Sequence, residues 1–206
     1  MCGGKNMTIT YEYHSNLYVN LTNRCPNRCE FCLRTHSAGS IYADDLWLER
    51  EPSKEEILED IKKRDLSQYR QLVFCGYGEP TCRLDDILWL CDEVKKFSPI
   101  DIRLNTNGLS DLIHGRHTAP DLDGRLDVVS VSLNACSAEK YDELCHSDFG
   151  LEAFPAILRF TGEAGLYVPK VYMTVVDTMP QADIEECRRI CEGLGAIFRV
   201  RQYIPN

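Results

Sequence analysis

The segment Thr22-Asn23-Arg24-Cys25-Pro26-Asn27-Arg28-Cys29-Glu30-Phe31-Cys32 places three thiols within eight residues, spaced C-x3-C-x2-C, with an aromatic residue before the last. Three thiolates so close in sequence can wrap one compact iron–sulfur cube. Three protein ligands leave one iron of a four-iron cube without a protein donor. Closed four-cysteine sites transfer electrons, whereas an open iron can chelate a substrate or cofactor. A structural zinc ion is the plainer alternative, and it wants a fourth Cys or His. His36 could supply it, but zinc knuckles do not usually sit at the end of a barrel strand. Chance clustering of buried cysteines fits poorly with a polar loop interrupted by Pro26.

The other cysteines need a separate decision. Eleven in 206 residues is an odd number, and the chain is too large to need staples, so a disulfide framework explains little. Cys187 and Cys191 lie one helical turn apart, which suits either an auxiliary cluster or a packed helix face. Cys75, Cys82, Cys91, Cys136 and Cys145 show no ligand-like spacing. Core packing is the favoured reading for all of these, because Cys behaves as a small buried hydrophobe. His114, His117 and His146 sit in polar segments and read as surface residues.

Composition bounds the class. The apolar fraction of 44% and charged fraction of 27% are those of a globular domain, and 206 residues suffice for a full core. A net charge of -9 argues against a broad nucleic-acid-binding face, though not against a small anion held by a few arginines. No apolar run is long enough to cross a bilayer and the N-terminus lacks a signal-peptide pattern. The expectation is a cytoplasmic protein with no membrane partner.

Six β-like runs must position the cysteine loop: 16–21, 71–75, 100–105, 127–134, 170–176 and 197–203. Amphipathic stretches lie between them at 53–65, 84–97, 137–146, 154–164 and 183–193, and Ser53-Lys54-Glu55-Glu56 matches a capping box. Strands alternating with helices predict parallel βαβ units. Six units fall short of the roughly 250 residues of a closed eightfold barrel. The predicted fold is therefore α/β, an open partial (β/α)6 TIM-like barrel of parallel strands. Residues 1–15 read as an N-terminal extension and 16–206 as the core domain. Parallel strands covered on both faces should be continuously apolar, yet these alternate. Val129, Val131 and Leu133 oppose Ser130, Ser132 and Asn134, and Ile102 and Leu104 oppose Arg103 and Asn105. Leu17, Val19 and Leu21 oppose Tyr18 and Asn20, and Phe198 and Val200 oppose Arg199 and Arg201. Apolar faces under helices would turn the polar faces into the barrel, which a dry core would not tolerate and a polar ligand would fill. The sequence ends at Pro205-Asn206, directly after the sixth run, which predicts one uncovered flank for a large substrate, a second copy or a partner.

With its cysteine loop directly after the first strand, the chain resembles the radical S-adenosylmethionine (SAM) superfamily. Gly76-Tyr77-Gly78-Glu79-Pro80 after the second strand is similar to the family's Gly-Gly-Glu-Pro segment, with Tyr77 as the departure. Asn105-Thr106-Asn107-Gly108 is similar to its Thr-Asn-Gly ending, and Ser130-Val131-Ser132-Leu133-Asn134 to its Val-Ser-Leu-Asp strand. Val171-Tyr172-Met173-Thr174-Val175-Val176 matches the strand that supports adenine. The resemblance implies a [4Fe-4S] cluster on Cys25, Cys29 and Cys32, and SAM contacts from Phe31, Gly76, Gly78, Glu79, Asn105, Ser132, Asn134 and Thr174. It also implies reductive cleavage of SAM to a 5′-deoxyadenosyl radical that abstracts hydrogen from a small-molecule or protein substrate, driven by a reductant such as flavodoxin or ferredoxin. Arg199 and Arg201 are the candidates for holding a substrate anion, with salt bridging at the barrel mouth as the alternative. Within the family, Tyr11-Glu12-Tyr13, the run from Asn16 to Cys29, Leu33-Arg34 and Leu46-Trp47-Leu48-Glu49 resemble the small proteins associated with TatD-family nucleases. The competing function is an iron–sulfur or zinc binding module that never cleaves SAM.

Overall fold

The computed structural model describes residues 7–32, 34 and 46–202. His36, Leu33 and Tyr203, each invoked above, lie outside the described residues. One seven-stranded sheet runs in chain order from β1 to β7: β1 Thr10–Tyr13, β2 Asn16–Val19, β3 Gln71–Phe74, β4 Asp101–Thr106, β5 Val128–Ser132, β6 Lys170–Val176 and β7 Ile197–Arg201. From β2 onward every neighbouring pair is parallel, and β1 and β7 form the two edges, so the sheet is open. β1 was not expected. It turns back through His14 and Ser15, both in the left-handed region (φ 46 and 61), and pairs antiparallel with β2. Residues 10–13 are thus hydrogen-bonded into the sheet rather than appended to it.

Among the described residues six α-helices connect the strands: α1 Lys54–Lys62, α2 Leu84–Val94, α3 Ser110–His114, α4 Ala138–Cys145, α5 Ala153–Ala164 and α6 Gln181–Gly193. The short α3 has no counterpart among the amphipathic stretches, because one turn and a half carries no readable period. α1 starts as its sequence dictates. Ser53 Oγ accepts from the Glu56 amide at 3.1 Å, and Glu56 Oε2 accepts from the Ser53 amide at 2.8 Å. Replacing Ser53 with alanine is expected to cost about 1 kcal/mol, read as a thermal midpoint lower by roughly 2–4 °C. The Arg50 guanidinium and the cap hold the Glu56 carboxyl at about 2 rather than its ordinary 4.5. The Glu56 contribution is therefore full above pH 4.5 and lost as pH falls towards 2.

The apolar strand faces meet the helices as the alternation predicts. Leu17, Val19, Leu72, Phe74, Ile102, Leu104, Val129, Val131 and Met173 are fully buried in one core with Ile57, Ile87, Tyr141, Ile157 and Phe160. Cys91, Cys145, Cys187 and Cys191 belong to this core as well, so the Cys187/Cys191 pair packs a helix face. The last strand departs from the pattern. Phe198 is half-buried, but Val200 is 40% exposed, so among the described residues the apolar face of β7 is only partly covered.

Candidate functional site

Parallel pairing carries the polar residues of successive strands onto one face. Asn105 lies beside Ser130, Ser130 beside Tyr172, Ser132 beside Thr174 and Thr174 beside Arg199. At the β1 side of the face Tyr11 stacks on Tyr18 at 5.2 Å, and the Tyr11 hydroxyl donates to the Cys75 carbonyl. Burial pushes the Tyr18 phenol up to about 12 and raises the Cys75 thiol. Tyr172 stands between two guanidiniums, with Arg199 Cζ 4.5 Å and Arg103 Cζ 5.8 Å from its ring centre. Arg103 also donates to Asn105 Oδ1 at 2.8 Å. Neither Arg103, Arg199 nor Arg201 has a carboxylate in ion-pair range among the described residues. Among the described residues, then, no salt bridge of the kind offered as the alternative role for Arg199 and Arg201 is formed.

The cysteine loop leaves the end of β2 and is stitched on two sides. Towards β3, the amides of Gly78 and Glu79 donate to the carbonyls of Thr22 (3.1 Å) and Arg24 (2.8 Å). Towards α4, the amides of Arg28 and Glu30 donate to the carbonyls of Cys145 (2.9 Å) and Leu144 (3.1 Å). Those two carbonyls are the orphaned acceptors at a helix C-terminus, and α4 ends cleanly because His146 takes φ 44. Asn27 Nδ2 reaches the buried Tyr141 hydroxyl at 2.8 Å, and Arg34 donates to the Asn27 carbonyl at 2.7 Å. Cys25, Cys29 and Cys32 are consequently half-buried on a loop whose backbone is largely spoken for.

Gly76 and Gly78 are set by this stitching. A Cβ on Gly78 would stand 2.3 Å from the Thr22 carbonyl oxygen and 2.6 Å from that of Arg24; on Gly76 it would stand 2.1 Å from Asn20 Oδ1. The chain's own backbone demands a glycine at 78, whatever ligand lies beyond it. Tyr77 projects from between them and meets the exposed Trp47 edge-on at 5.5 Å. Glu79 is buried and accepts four hydrogen bonds: from the Thr81 amide (3.0 Å) and hydroxyl (2.7 Å), the Thr106 hydroxyl (2.7 Å) and the Asn107 amide (2.7 Å). Burial pushes its carboxyl above the ordinary range against the pull of these donors. Both oxygens are engaged within the chain, so Glu79 ties the β3 loop to the β4 loop.

Several expected residues come together at the same end of the sheet. Asn134, at the end of β5, takes φ 59 and has its buried Oδ1 without a hydrogen-bond partner. Asn20 Oδ1, Asn27 Oδ1 and Asn107 Nδ2 share that condition. A cleft of ≈ 370 Å³ lies between the cysteine loop and the ends of β5 and β6, lined by Glu30, Asn134, Leu144, Met179 and Asp183 among others. Ser132 is half-buried, and Thr174 is buried with its hydroxyl 3.4 Å from the Val131 carbonyl. Phe31 packs half-buried against the core. Buried polar atoms without partners are rare, and these four lie on the cysteine loop and just past the C-terminal ends of β2, β4 and β5. That donor set fits an iron–sulfur cluster and a polar ligand beside it.

The thiols differ among themselves. Burial pushes Cys25 up to about 12 and raises Cys32, whereas a hydrogen bond with Cys145 holds Cys29 below its ordinary value and raises Cys145. A bound metal deprotonates such thiols outright. Cys145 was read from sequence as a core residue without ligand spacing. It is buried, yet its thiol contacts a thiol of the motif from 116 positions away along the chain. His114, expected at the surface, is half-buried with Nε2 2.8 Å from the Thr81 carbonyl, while His117 and His146 are exposed.

The family model of the radical SAM superfamily matches residues 19–191, from the end of β2 into α6. The chain belongs to the radical SAM superfamily. Among its curated relatives are a probable GTP 3′,8-cyclase of Thermococcus kodakarensis, 29% identical over 90% of this chain and 56% of the relative, and the GTP 3′,8-cyclase of Corynebacterium glutamicum (strain R), 30% identical over 92% and 49%. This radical SAM chain spans about half the length of the curated relatives it matches. Its fold is shared with a radical SAM methyltransferase from Sphaerobacter thermophilus (TM-score 0.62, 19% identity, 94% of this chain and 57% of that one). It is also shared with SuiB of Streptococcus suis, solved with S-adenosylmethionine bound (TM-score 0.61, 19% identity, 91% and 38%). The open sheet is thus the partial TIM-like barrel expected from the sequence. This radical SAM protein carries the domain that in its superfamily uses a [4Fe-4S] cluster and SAM. No described helix is long and apolar enough to cross a membrane.

Proposed function

We propose that Cys25, Cys29 and Cys32 hold the single [4Fe-4S] cluster, and that the enzyme abstracts hydrogen from an anionic substrate bound by Arg103, Arg199 and Arg201. When bound, the cluster and SAM supply one electron and a sulfonium whose cleavage releases methionine and a 5′-deoxyadenosyl radical. The chain's own contribution is positional. The loop stitched to α4 and β3 presents the thiols at the mouth of the polar face. Gly76, Gly78, Asn105, Ser132, Asn134 and Thr174 are the proposed SAM contacts, with Phe31 flanking the cluster loop and Glu79 holding the shape of the loop that carries the glycines.

The observation that carries the substrate class is the guanidinium group on this face. Three arginines share it without a described carboxylate between them, and Tyr172 orders two of the three. Planar donors so arranged suit a carboxylate or phosphate. The shared name of the curated relatives makes GTP the first substrate to try. Resemblance to the TatD-associated subgroup adds a TatD-family nuclease as partner, and flavodoxin or ferredoxin as electron source, to the same proposal; a cytoplasmic location goes with it.

The test is anaerobic. Reconstituted protein with SAM, dithionite and GTP is expected to form 5′-deoxyadenosine faster than without GTP. Arg199→Ala and Arg201→Ala are each expected to raise the KM for that anion by about tenfold to a hundredfold, the loss of a charged hydrogen bond. Full iron loading with no 5′-deoxyadenosine under any condition would instead support a non-catalytic binding module. An unchanged KM in both variants would move the anion site elsewhere.

A further inference from the structure

We propose that Asp111, His117 and Glu163 form a divalent-metal site, of the zinc class, that staples the segment between β4 and β5 to α5. These residues lie outside the radical SAM machinery. Asp111 is in the first turn of α3, His117 in the loop that follows, and Glu163 in the last turn of α5. One donor atom from each lies within 4.8 Å of the other two. His117 Nδ1 is 2.9 Å from Glu163 Oε2 and 3.8 Å from Asp111 Oδ2.

Asp111 is what separates this cluster from ordinary surface charge. Its side chain is only 8% exposed. Oδ1 accepts from the Thr118 amide at 2.9 Å and the Thr118 hydroxyl at 2.8 Å, which fixes the carboxylate plane. Oδ2, turned towards His117, is buried with no hydrogen-bond partner. A buried carboxylate oxygen left without a donor is costly, and a cation at this point would relieve it. Thr118 plays the supporting part that orients a ligating carboxylate.

The donor set selects the ion. One imidazole nitrogen and two carboxylate oxygens suit zinc, which binds both at about 2.0–2.2 Å in tetrahedral geometry. Such bonds place neighbouring donors about 3.3–3.5 Å apart, and the observed 2.9 and 3.8 Å fall on either side of that value. Calcium asks for six to eight oxygens, and magnesium for a mostly hydrated octahedron; three mixed donors match neither. His117 is 64% exposed, which leaves the fourth position for water. The site joins α3 to α5 just beyond Asn107, whose amide Glu79 holds. A metal here would brace the β4 loop from behind, without contact with the cysteine loop.

Zinc titrated calorimetrically into cluster-loaded protein, with iron counted on the same sample, tests this directly. One zinc per chain is expected at micromolar affinity, with a rise in thermal midpoint. His117→Ala removes an exposed ligand and spares the core; it is expected to weaken zinc at least about tenfold and to abolish the rise. Glu163→Gln, which keeps the shape, is expected to weaken it in the same direction. Zinc bound equally by wild type and His117→Ala would place it on other groups and overturn the proposal. Absence of zinc uptake would do so too, leaving His117 and Glu163 as a plain ion pair.

Discussion

Cys29→Ala is expected to reduce 5′-deoxyadenosine formation to the level without enzyme, and to lower iron from about four per chain to a residual amount. Cys29 is the central thiol of the motif, and its neighbours on both sides, Arg28 and Glu30, are bonded to the end of α4. The backbone stitching does not depend on the side chain, so the loop keeps its path while losing a ligand. The informative control is Cys145→Ala. Cys145 packs against Cys29 and is the more buried of the two, so a purely structural account expects Cys145→Ala to do at least as much damage as Cys29→Ala. If Cys29 is a ligand and Cys145 is not, Cys145→Ala retains most of its iron and still cleaves SAM. Equal iron contents in wild type and Cys29→Ala would remove this cysteine from the cluster.

Glu79→Ala is expected to destabilise the fold by at least about 3 kcal/mol. Four donors lose their acceptor at once: two backbone amides and two threonine hydroxyls, all buried or half-buried. Each unsatisfied buried donor costs about 1–3 kcal/mol, less where water can enter. The damage reaches both loops, since Glu79 holds Thr81 on its own side and Thr106 and Asn107 on the other. Glu79→Gln retains one acceptor oxygen and brings an NH2 group up against donors, so it is expected to fall between wild type and alanine. Chemical denaturation followed by far-UV circular dichroism reads the order. Stability unchanged in Glu79→Ala would mean that these donors find other acceptors, and that the two loops are held elsewhere.

Much of this architecture was legible in the chain itself. The alternation of Val129, Val131 and Leu133 with Ser130, Ser132 and Asn134 is a local property of extended backbone, in which successive side chains point to opposite faces. Helix starts such as Ser53 with Glu56 are equally local. A three-cysteine loop lies within a single turn of sequence, so it needs no knowledge of distant contacts. What escaped were features made by pairing across the chain. β1 carries four residues and gains its identity only from hydrogen bonds to β2. α3 is too short to show a period.

The thiol loop, the polar-faced strands and the open (β/α) succession were thus determined by the sequence alone, because each is written in residues near one another. The tertiary structure decided what those residues touch. It placed Cys145 against Cys29, engaged both oxygens of Glu79 within the chain, made Gly78 a demand of loop packing and set Arg103 and Arg199 at the Tyr172 ring without described carboxylate partners. It also brought the exposed His117, a surface histidine as expected, within reach of Asp111 and Glu163. Such contacts depend on strand register and helix docking, which are fixed by packing over the whole core. No window of sequence contains them.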